Sequence, residues 1–319
     1  MKRIFIAMAV VSAMVLGFSS CNNDDEILKP SKDQTTNLRI QTEITSAETG
    51  LRSTKSALSS FPEGSALSLF VTNGTLGSNY PQGPYNNVKA EYKSGKWELT
   101  PAVKLGNTPA TVFAFYPYGA TYTNGTANMN IYHTNQVDYM YGTNAEGQEN
   151  INKDNPGVRL RMKHAKALLQ FSIRKMNYPG EGKLTRVEVA NATGKGDLKS
   201  GASLNISTGE LTYYDSQFSP AFIEDANGLY TLTDTEPTEG KDLMEVMVLP
   251  VVKTNSVGSV MIRFFIDGDI YIYNVPYDTK WKQGTKYFYN VTFNGTELVV
   301  DDVIITDWAE GAKGEINLY

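Results

Sequence analysis

The clearest pattern along the chain is an alternation of apolar and polar residues with a period of two. In the segment LRIQTEI it places Leu38, Ile40 and Ile44 on one face and mostly charged or amide side chains on the other. Such alternation predicts a half-buried β-strand. The segment that follows, residues 46–60, is small and polar and contains Gly50. It predicts an exposed loop of the kind that proteases cut.

The same period recurs in short runs through the rest of the chain. Asp267-Gly268 and Asn294-Gly295 stand between such runs, and dipeptides of this kind predict two-residue hairpin turns. Residues 158–175 contain good helix formers, but their apolar positions alternate, which favours a strand. Short, closely spaced strands without a convincing helix predict an all-β fold built from β-sandwiches.

The first 20 residues have the pattern of an export signal. Residues 1–3 carry positive charge, and residues 4–16 are apolar but fewer than the roughly 20 that span a bilayer. Small residues then lead to Cys21, the only cysteine of the chain. This arrangement is typical of bacterial lipoproteins, whose cysteine is acylated and becomes the first mature residue, although Phe18 stands where Leu is usual. The alternative is an ordinary signal peptide with an incidental cysteine.

Composition and charge narrow the classes of function. The net charge is -5 over 319 residues and no basic stripe is present, which argues against a nucleic-acid partner. Because the chain has one cysteine, hydrophobic cores rather than internal disulfides hold the fold. Residues 21–36 are polar and predict a flexible tether. No later segment is apolar enough to predict a membrane-spanning helix.

The chain lacks the usual signatures of catalysis and metal binding. His133 and His164 are the two histidines, and their separation without a cysteine partner predicts surface or interface residues rather than a zinc site. No nucleophile elbow, Walker or Rossmann glycine pattern is present. Trp97, Trp281 and Trp308 are predicted as core or strand-end packing residues rather than a glycan-binding face. The sequence therefore predicts a protein that is not an enzyme and needs no metal or cofactor.

Eight segments, spread over nearly all of the predicted mature chain, carry a pattern in their order and spacing. The segments are FPEGSALSLFV (61–71), YNNVKAEYKSGKW (85–97), ATVFAFYPY (110–118), VRLRMKHAKALLQFSI (158–173), GASLNISTGEL (201–211), VMVLPV (246–251), WKQGTKYFYNVTFNG (281–295) and IITDWAEG (304–311). Together they resemble the fimbrillin family, whose members are subunits of the lipoprotein-derived type V pili of Bacteroidota. The resemblance implies two tandem transthyretin-like β-sandwich domains after a lipoprotein signal peptide. We place the signal at 1–20, the tether at 21–36 and the domains at 37–160 and 161–319.

The resemblance also implies a mechanism of assembly. The first strand, with Leu38, Ile40 and Ile44, completes the N-terminal sandwich of the precursor. A trypsin-like protease then cuts after Arg52, with Lys55 as the second choice, and removes lipid and strand together. A donor strand from the C-terminal part of a neighbouring subunit fills the groove, and head-to-tail repetition gives a filament. The expected partners are other fimbrial subunits, the outer membrane through the lipid, the protease, and a host or bacterial surface ligand.

Three alternatives remain open at this stage. Arg52 is a solvated loop residue that nothing cleaves if the chain is an anchor subunit that retains its lipid. A tip subunit of the family is cleaved but lacks a donor strand. A second class of protein, a non-polymerising surface lipoprotein that binds glycans, shares the same signal, tether and tandem sandwiches. The acidic residues after Cys21 resemble a surface-export signal of Bacteroidota lipoproteins. Either way the predicted location is the outer membrane, exposed at the surface, with transfer to the fimbrium after processing.

Overall fold

The structure is a computed structural model that describes residues 35–44, 60–122, 128–144, 146–214, 219–235, 237, 243–301 and 303–308. The predicted signal peptide, Cys21, Arg52 and Lys55 lie outside these residues. Within the described ranges the chain is all β and contains no helix, which confirms the all-β part of the predicted fold class. Accordingly, no helix in this part of the chain is long and apolar enough to cross a membrane.

Ten strands precede residue 165 in the described part of the chain. They are β1 (Thr36–Asn37), β2 (Arg39–Ile44), β3 (Ala66–Thr72), β4 (Tyr85–Lys93), β5 (Lys96–Thr100), β6 (Lys104–Leu105), β7 (Thr111–Tyr116), β8 (Asn128–Tyr132), β9 (Met140–Asn144) and β10 (Gly157–His164). Seven of them form one sheet with the order β2-β10-β9-β7-β3-β4-β5. The buried side chains on one face of this sheet, including those of β2, form one hydrophobic cluster, and Phe70, Phe113 and Phe115 belong to another.

The seven-stranded sheet is antiparallel except at one end. There β2 runs parallel to β10, with Arg39 opposite Gly157 and Ile44 opposite Met162. The sheet curls so that its two outer strands approach each other, since Trp97 of β5 donates a hydrogen bond from Nε1 to Thr42 Oγ1 of β2 at 3.2 Å. The first strand is therefore held between β10 on one side and β5 on the other.

Twelve strands follow in the second half of the described chain. They are β11 (Ala167–Met176), β12 (Lys183–Asn191), β13 (Gly201–Asn205), β14 (Leu211–Tyr214), β15 (Ala221–Glu224), β16 (Tyr230–Thr231), β17 (Met244–Val248), β18 (Val260–Ile266), β19 (Asp269–Asn274), β20 (Thr285–Asn294), β21 (Glu297–Val300) and β22 (Ile304–Asp307). One sheet has the order β17-β11-β20-β21, with β22 also on β20, and a second has the order β15-β12-β18-β19, with β16 on β12. Both sheets contribute to one hydrophobic cluster, in which Trp281 is fully buried. This half is a β-sandwich.

A three-stranded sheet with the order β14-β13-β8 connects the two halves of the chain. The hairpin β13–β14 belongs to the second half by sequence, yet β13 pairs with β8 of the first half. The strand β10, residues 157–164, also passes through the predicted boundary at residue 160. The described residues from Thr35 onward belong to one compact unit. The division into domains 37–160 and 161–319 stays a prediction.

Of the two predicted hairpin turns, one lies where the sequence predicted it and the other lies one residue later. Asp267 and Gly268 have φ values of 52° and 92°, as a two-residue turn with two left-handed positions requires, so this prediction is confirmed. The second hairpin closes with Asn294 opposite Glu297. Its two-residue loop therefore begins at Gly295, one residue later than predicted.

Candidate functional site

The strand β2 is built into the hydrophobic core of the seven-stranded sheet. Leu38, Ile40 and Ile44 are 4%, 7% and 9% exposed, while Arg39 and Gln41 between them are exposed. The alternation in the sequence thus matches the two faces of β2, as predicted. Burial of three such side chains contributes roughly 5–9 kcal/mol at 1.5–3 kcal/mol each.

Backbone hydrogen bonds hold the start of this strand from two sides. The N–H of Leu38 donates to the carbonyl of Val103 at 2.9 Å, and the N–H of Arg39 donates to the carbonyl of Pro156 at 2.9 Å. Six consecutive residue pairs then join β2 to β10. The strand is fixed by its backbone along its length and by apolar side chains at three positions.

Aromatic side chains line the side of the site that faces β5. The Trp97 ring packs edge-on against Phe61 at 5.1 Å between ring centroids, and Phe61 packs against Tyr116 at 5.3 Å. Phe61 is buried and is the second residue after segment 45–59, which the structure does not describe. The chain therefore returns from that segment directly into the aromatic wall beside β2. We call the set of β10, Trp97 and Phe61 the seat of β2.

A group of polar side chains lies where the two halves of the chain meet, and several of them belong to the loop between β8 and β9. The side chain of Gln136 accepts from the N–H of Met247 at 2.8 Å and donates to its carbonyl at 2.9 Å. Because Met247 lies on β17, at one side of its sheet, the amide caps backbone groups that would otherwise lack partners. His133 Nε2 donates to the carbonyl of Ser219 at 2.7 Å.

His164, the last residue of β10, is the centre of this arrangement. Its Nδ1 donates to Asp138 Oδ1 at 2.8 Å. The ring of Trp308 stacks on the His164 ring with 4.2 Å between centroids and 2° between planes. Both rings are buried, so the C-terminal end of the described chain is anchored on the first half. We call His164, Asp138, Lys166 and Trp308 the junction cluster.

Lys166 is fully buried beside these residues. Its Nζ lies 5.0 Å from the centroid of the Tyr139 ring and has no hydrogen-bond partner among the described residues. Burial lowers the pKa of Lys166 to about 7, although the charge of Asp138 opposes this shift. Burial likewise lowers the pKa of His133 to about 4. Both side chains are therefore held in an environment that disfavours their charged forms.

The structure corrects one sequence prediction about these residues and agrees with another. His133 and His164 are buried, so their prediction as surface residues was wrong, although both make contacts between distant parts of the chain. Trp308 is buried at the end of β22, as predicted, and Trp281 is a core residue. Trp97 is half-buried and faces β2. In the described ranges no three His, Cys, Asp or Glu side chains are grouped to hold a metal ion.

The fimbrillin-like family profile matches residues 52–308, most of the chain. The chain belongs to the fimbrillin-like family. This family is structural rather than enzymatic, and membership supports a role in fimbriae at the cell surface, in association with other fimbrial subunits. The match begins at Arg52, so β2 precedes the family region, and it ends at Trp308.

Solved structures share the fold of this fimbrillin-like chain. A candidate cell adhesion protein of Bacteroides uniformis has a TM-score of 0.60 and 17% identity, over 86% of this chain and 100% of its own. A candidate cell adhesion protein of Bacteroides ovatus has a TM-score of 0.58 and 18% identity, over 86% of this chain and 99% of its own. At such identities the likeness shows the fold alone. No curated protein sequence matches the chain.

Proposed function

We propose that the chain is exported as a lipoprotein and becomes a structural subunit of a surface fimbria by protease-triggered strand exchange. The observation that carries the proposal is the placement of β2. This strand fills a seat in the core, yet it precedes the family region that begins at Arg52. Adhesion to a host or bacterial surface is the role of the assembled filament.

The order of segments along the chain gives the proposal its logic. Cys21 and β2 lie on the same side of Arg52 and Lys55 in sequence. A cut after either basic residue would therefore separate the lipidated cysteine and the first strand from everything that follows. The remaining chain would keep the seat, with the apolar row Val158, Leu160 and Met162 on β10.

An emptied seat is a good template for a strand from another subunit. It would present the unpaired backbone edge of β10 together with apolar positions at every second residue. A donor strand with alternating apolar residues satisfies both requirements. Because each seat and each donor belong to different subunits, repetition gives a head-to-tail filament.

The decisive experiment is the mass of the N-terminus of protein sheared from cells. We expect a start at Ser53, or at Ser56 if Lys55 is used, and a lipidated Cys21 on the unprocessed precursor. An Arg52→Ala, Lys55→Ala double variant should retain Cys21 and form no filaments, whereas a Lys253→Ala variant, changed at an exposed lysine elsewhere, should assemble normally. Sheared protein that starts at a lipidated Cys21, or a double variant that polymerises, would contradict strand exchange. Palmitate labelling of a Cys21→Ala variant would contradict the lipoprotein assignment.

A glycan-binding surface lipoprotein is the second candidate, and one pair of side chains favours it. Tyr132 and Tyr214 are each 39% exposed, with ring centroids 6.1 Å apart, on the three-stranded sheet. Exposed aromatic rings stack on sugar faces. If this role holds, a Tyr132→Ala, Tyr214→Ala variant should lose binding on a glycan array while the unmodified chain stays monomeric after trypsin treatment.

A further inference from the structure

The loop between β8 and β9, residues 133–139, makes polar contacts with separate parts of the second half of the chain. His133 Nε2 donates to the carbonyl of Ser219 at 2.7 Å. The side-chain amide of Gln136 bonds to both backbone groups of Met247, at 2.8 and 2.9 Å. These hydrogen bonds hold a loop of the first half against the second half. We call residues 133–139 the latch loop.

The same loop also holds the C-terminal end of the described chain. Asp138 accepts from His164 Nδ1 at 2.8 Å, and the Trp308 ring stacks on the His164 ring. Two backbone hydrogen bonds of 2.8 Å reach the same place from the other side. The N–H of Trp308 donates to the carbonyl of Gly284, and the N–H of Gly284 donates to the carbonyl of Lys166. The position of the C-terminal end thus depends on the latch loop and on the backbone of Lys166.

Both histidines of the chain are buried here, and each has one ring nitrogen without a hydrogen-bond partner among the described residues. In His133 this nitrogen is Nδ1, since Nε2 donates to Ser219. A protonated imidazole carries an N–H on both nitrogens. Protonation of a fully buried His133 would therefore leave one N–H that donates to nothing, which is costly. His164 differs, because the carboxylate of Asp138 lies beside its ring and compensates a positive charge.

Lys166 is in the same position as His133. Its Nζ is fully buried and has no hydrogen-bond partner among the described residues, and the Tyr139 ring lies 5.0 Å from it. Burial raises the pKa of Tyr139, so its phenol stays neutral. The charge of Asp138 favours the ammonium form of Lys166, but this carboxylate also serves His164. Besides burial, the charge of Lys166 disfavours a proton on His133. Within the described residues one carboxylate thus faces three side chains that can become cations.

We propose that the latch loop opens in acid and releases the C-terminal end that Trp308 anchors. His133 and Lys166 take up protons more readily when the loop is open, because water then solvates both charges. Opening stays local. The pairing of β8 with β13, and the apolar cluster that contains Leu204 and Leu249, do not depend on charge and keep the two halves together. The latch is also independent of strand exchange at the seat of β2.

The direction and the pH range of the opening follow from two pKa values. Burial lowers the pKa of His133 from 6.5 to about 4 and the pKa of Lys166 from 10.5 to about 7. A cationic group whose pKa is lowered in the closed state favours that state at high pH, and this preference is lost as the pH falls from the open-state value to the closed-state value. Each pH unit in such an interval changes the ratio of open to closed molecules about tenfold. Acidification from pH 6.5 to 4 should therefore raise this ratio about 300-fold through His133, and acidification from pH 9 to 7 about 100-fold through Lys166.

Amide hydrogen exchange of the purified full-length chain, corrected for the intrinsic effect of pH on exchange, measures this ratio. The N–H groups of Trp308 and Gly284 report on the latch, because their hydrogen bonds join the C-terminal end to Lys166. The N–H groups bonded between β8 and β13 are the internal control. We expect the protection of Trp308 and Gly284 to fall about 300-fold between pH 6.5 and 4 while the control groups keep theirs.

Two variants test the two protonation sites separately, so that either one suffices if the other fails to fold. His133→Gln should abolish the fall between pH 6.5 and 4, because an amide can donate to Ser219 but does not titrate. Lys166→Met should abolish the change between pH 7 and 9. Lys163→Met, changed at an exposed lysine of β10, is the matched control and should keep both steps. Protection at Trp308 that is constant from pH 4 to 9, steps that persist in the two variants, or an equal loss in β8 and β13 would overturn the proposal.

Discussion

The strands β2 and β22 lie near the two ends of the described chain, and both ends are attached to β10 in different ways. β2 runs along β10 and buries a row of three apolar side chains. β22 pairs with β20, and the residue after it, Trp308, reaches His164 at the end of β10. The first attachment is distributed along a strand. The second depends on a single contact, between the rings of Trp308 and His164.

This difference determines what each attachment can recognise. Apolar burial is non-directional, so the seat of β2 accepts any strand whose apolar residues have the right period and size. The junction cluster is directional, because His164 must keep its hydrogen bond to Asp138 while it offers its face to Trp308. Under the strand exchange proposed above, a site that accepts many alternating apolar strands would suit β2, which another strand would replace. A specific aromatic contact would suit an end that stays in place.

The largest expected effect is the loss of the aromatic anchor. Trp308→Ala should lower the free energy of unfolding by about 3–5 kcal/mol, because a large buried ring is removed and a cavity is left beside His164. Chemical denaturation followed by tryptophan-independent circular dichroism measures the change. Trp308→Phe keeps a ring on His164 and should lose clearly less. Equal losses for both variants would show that stacking contributes nothing.

Truncation of the first strand should cost somewhat less. Ile40→Ala should reduce the stability of the precursor by about 2–3 kcal/mol, since an isoleucine is lost from an outer strand that can adjust. Gln41→Ala, on the exposed face of the same strand, is the control and should stay within about 0.5 kcal/mol of the unmodified chain. A similar cost at both positions would mean that the apolar row does not hold β2.

The junction cluster should show a pH dependence that the seat of β2 lacks. Unfolded Lys166 binds its proton up to its ordinary pKa of 10.5, whereas the folded chain binds it only below about 7. Stability of the unmodified chain should therefore rise with pH between about 7 and 10.5. Lys166→Met should remove this rise and stabilise the chain at pH 7 by about 1–3 kcal/mol, because an unsatisfied buried donor is gone. Denaturation midpoints measured at several pH values would reveal a constant difference if Lys166 did not titrate in this window.

The smallest effect concerns the polar link across the seat. Trp97→Phe should cost about 0.5–1.5 kcal/mol, the usual net value of one hydrogen bond. Thr42→Val removes the acceptor of the same bond and should cost a similar amount. In a double-mutant cycle the two changes should be less than additive. Full additivity would show that the hydrogen bond between β5 and β2 is not formed in solution.

Local sequence pattern predicted the strands well and the contacts between distant segments poorly. The alternation of Leu38, Ile40 and Ile44 was sufficient to predict both β2 and its buried face. It could not predict that β2 runs parallel to β10, because the pairing joins segments far apart in sequence. The dipeptide Asp267-Gly268 placed its turn correctly since the turn depends on those two residues alone.

The junction cluster carried no signal that sequence reasoning could use. Gln136, Asp138 and Lys166 lie in loops or between strands, where no period applies. Polar residues of this kind are usually exposed, and their burial here depends on partners such as Met247 and Trp308, more than a hundred residues away. The one available hint was that His164 stands at the end of an otherwise alternating strand.

The parallel pairing of β2 with β10 also determines when β2 can pair during folding. A polypeptide is made from its N-terminus, so β2 is complete long before Gly157–Met162, the residues it pairs with, have been synthesised. During that interval the apolar side chains of β2 have no completed site in which to be buried. Contacts between residues so distant in the chain form slowly, because a long loop must close first. β2 is thus synthesised early but pairs late. Until it pairs, another extended segment can bind to β10 in its place.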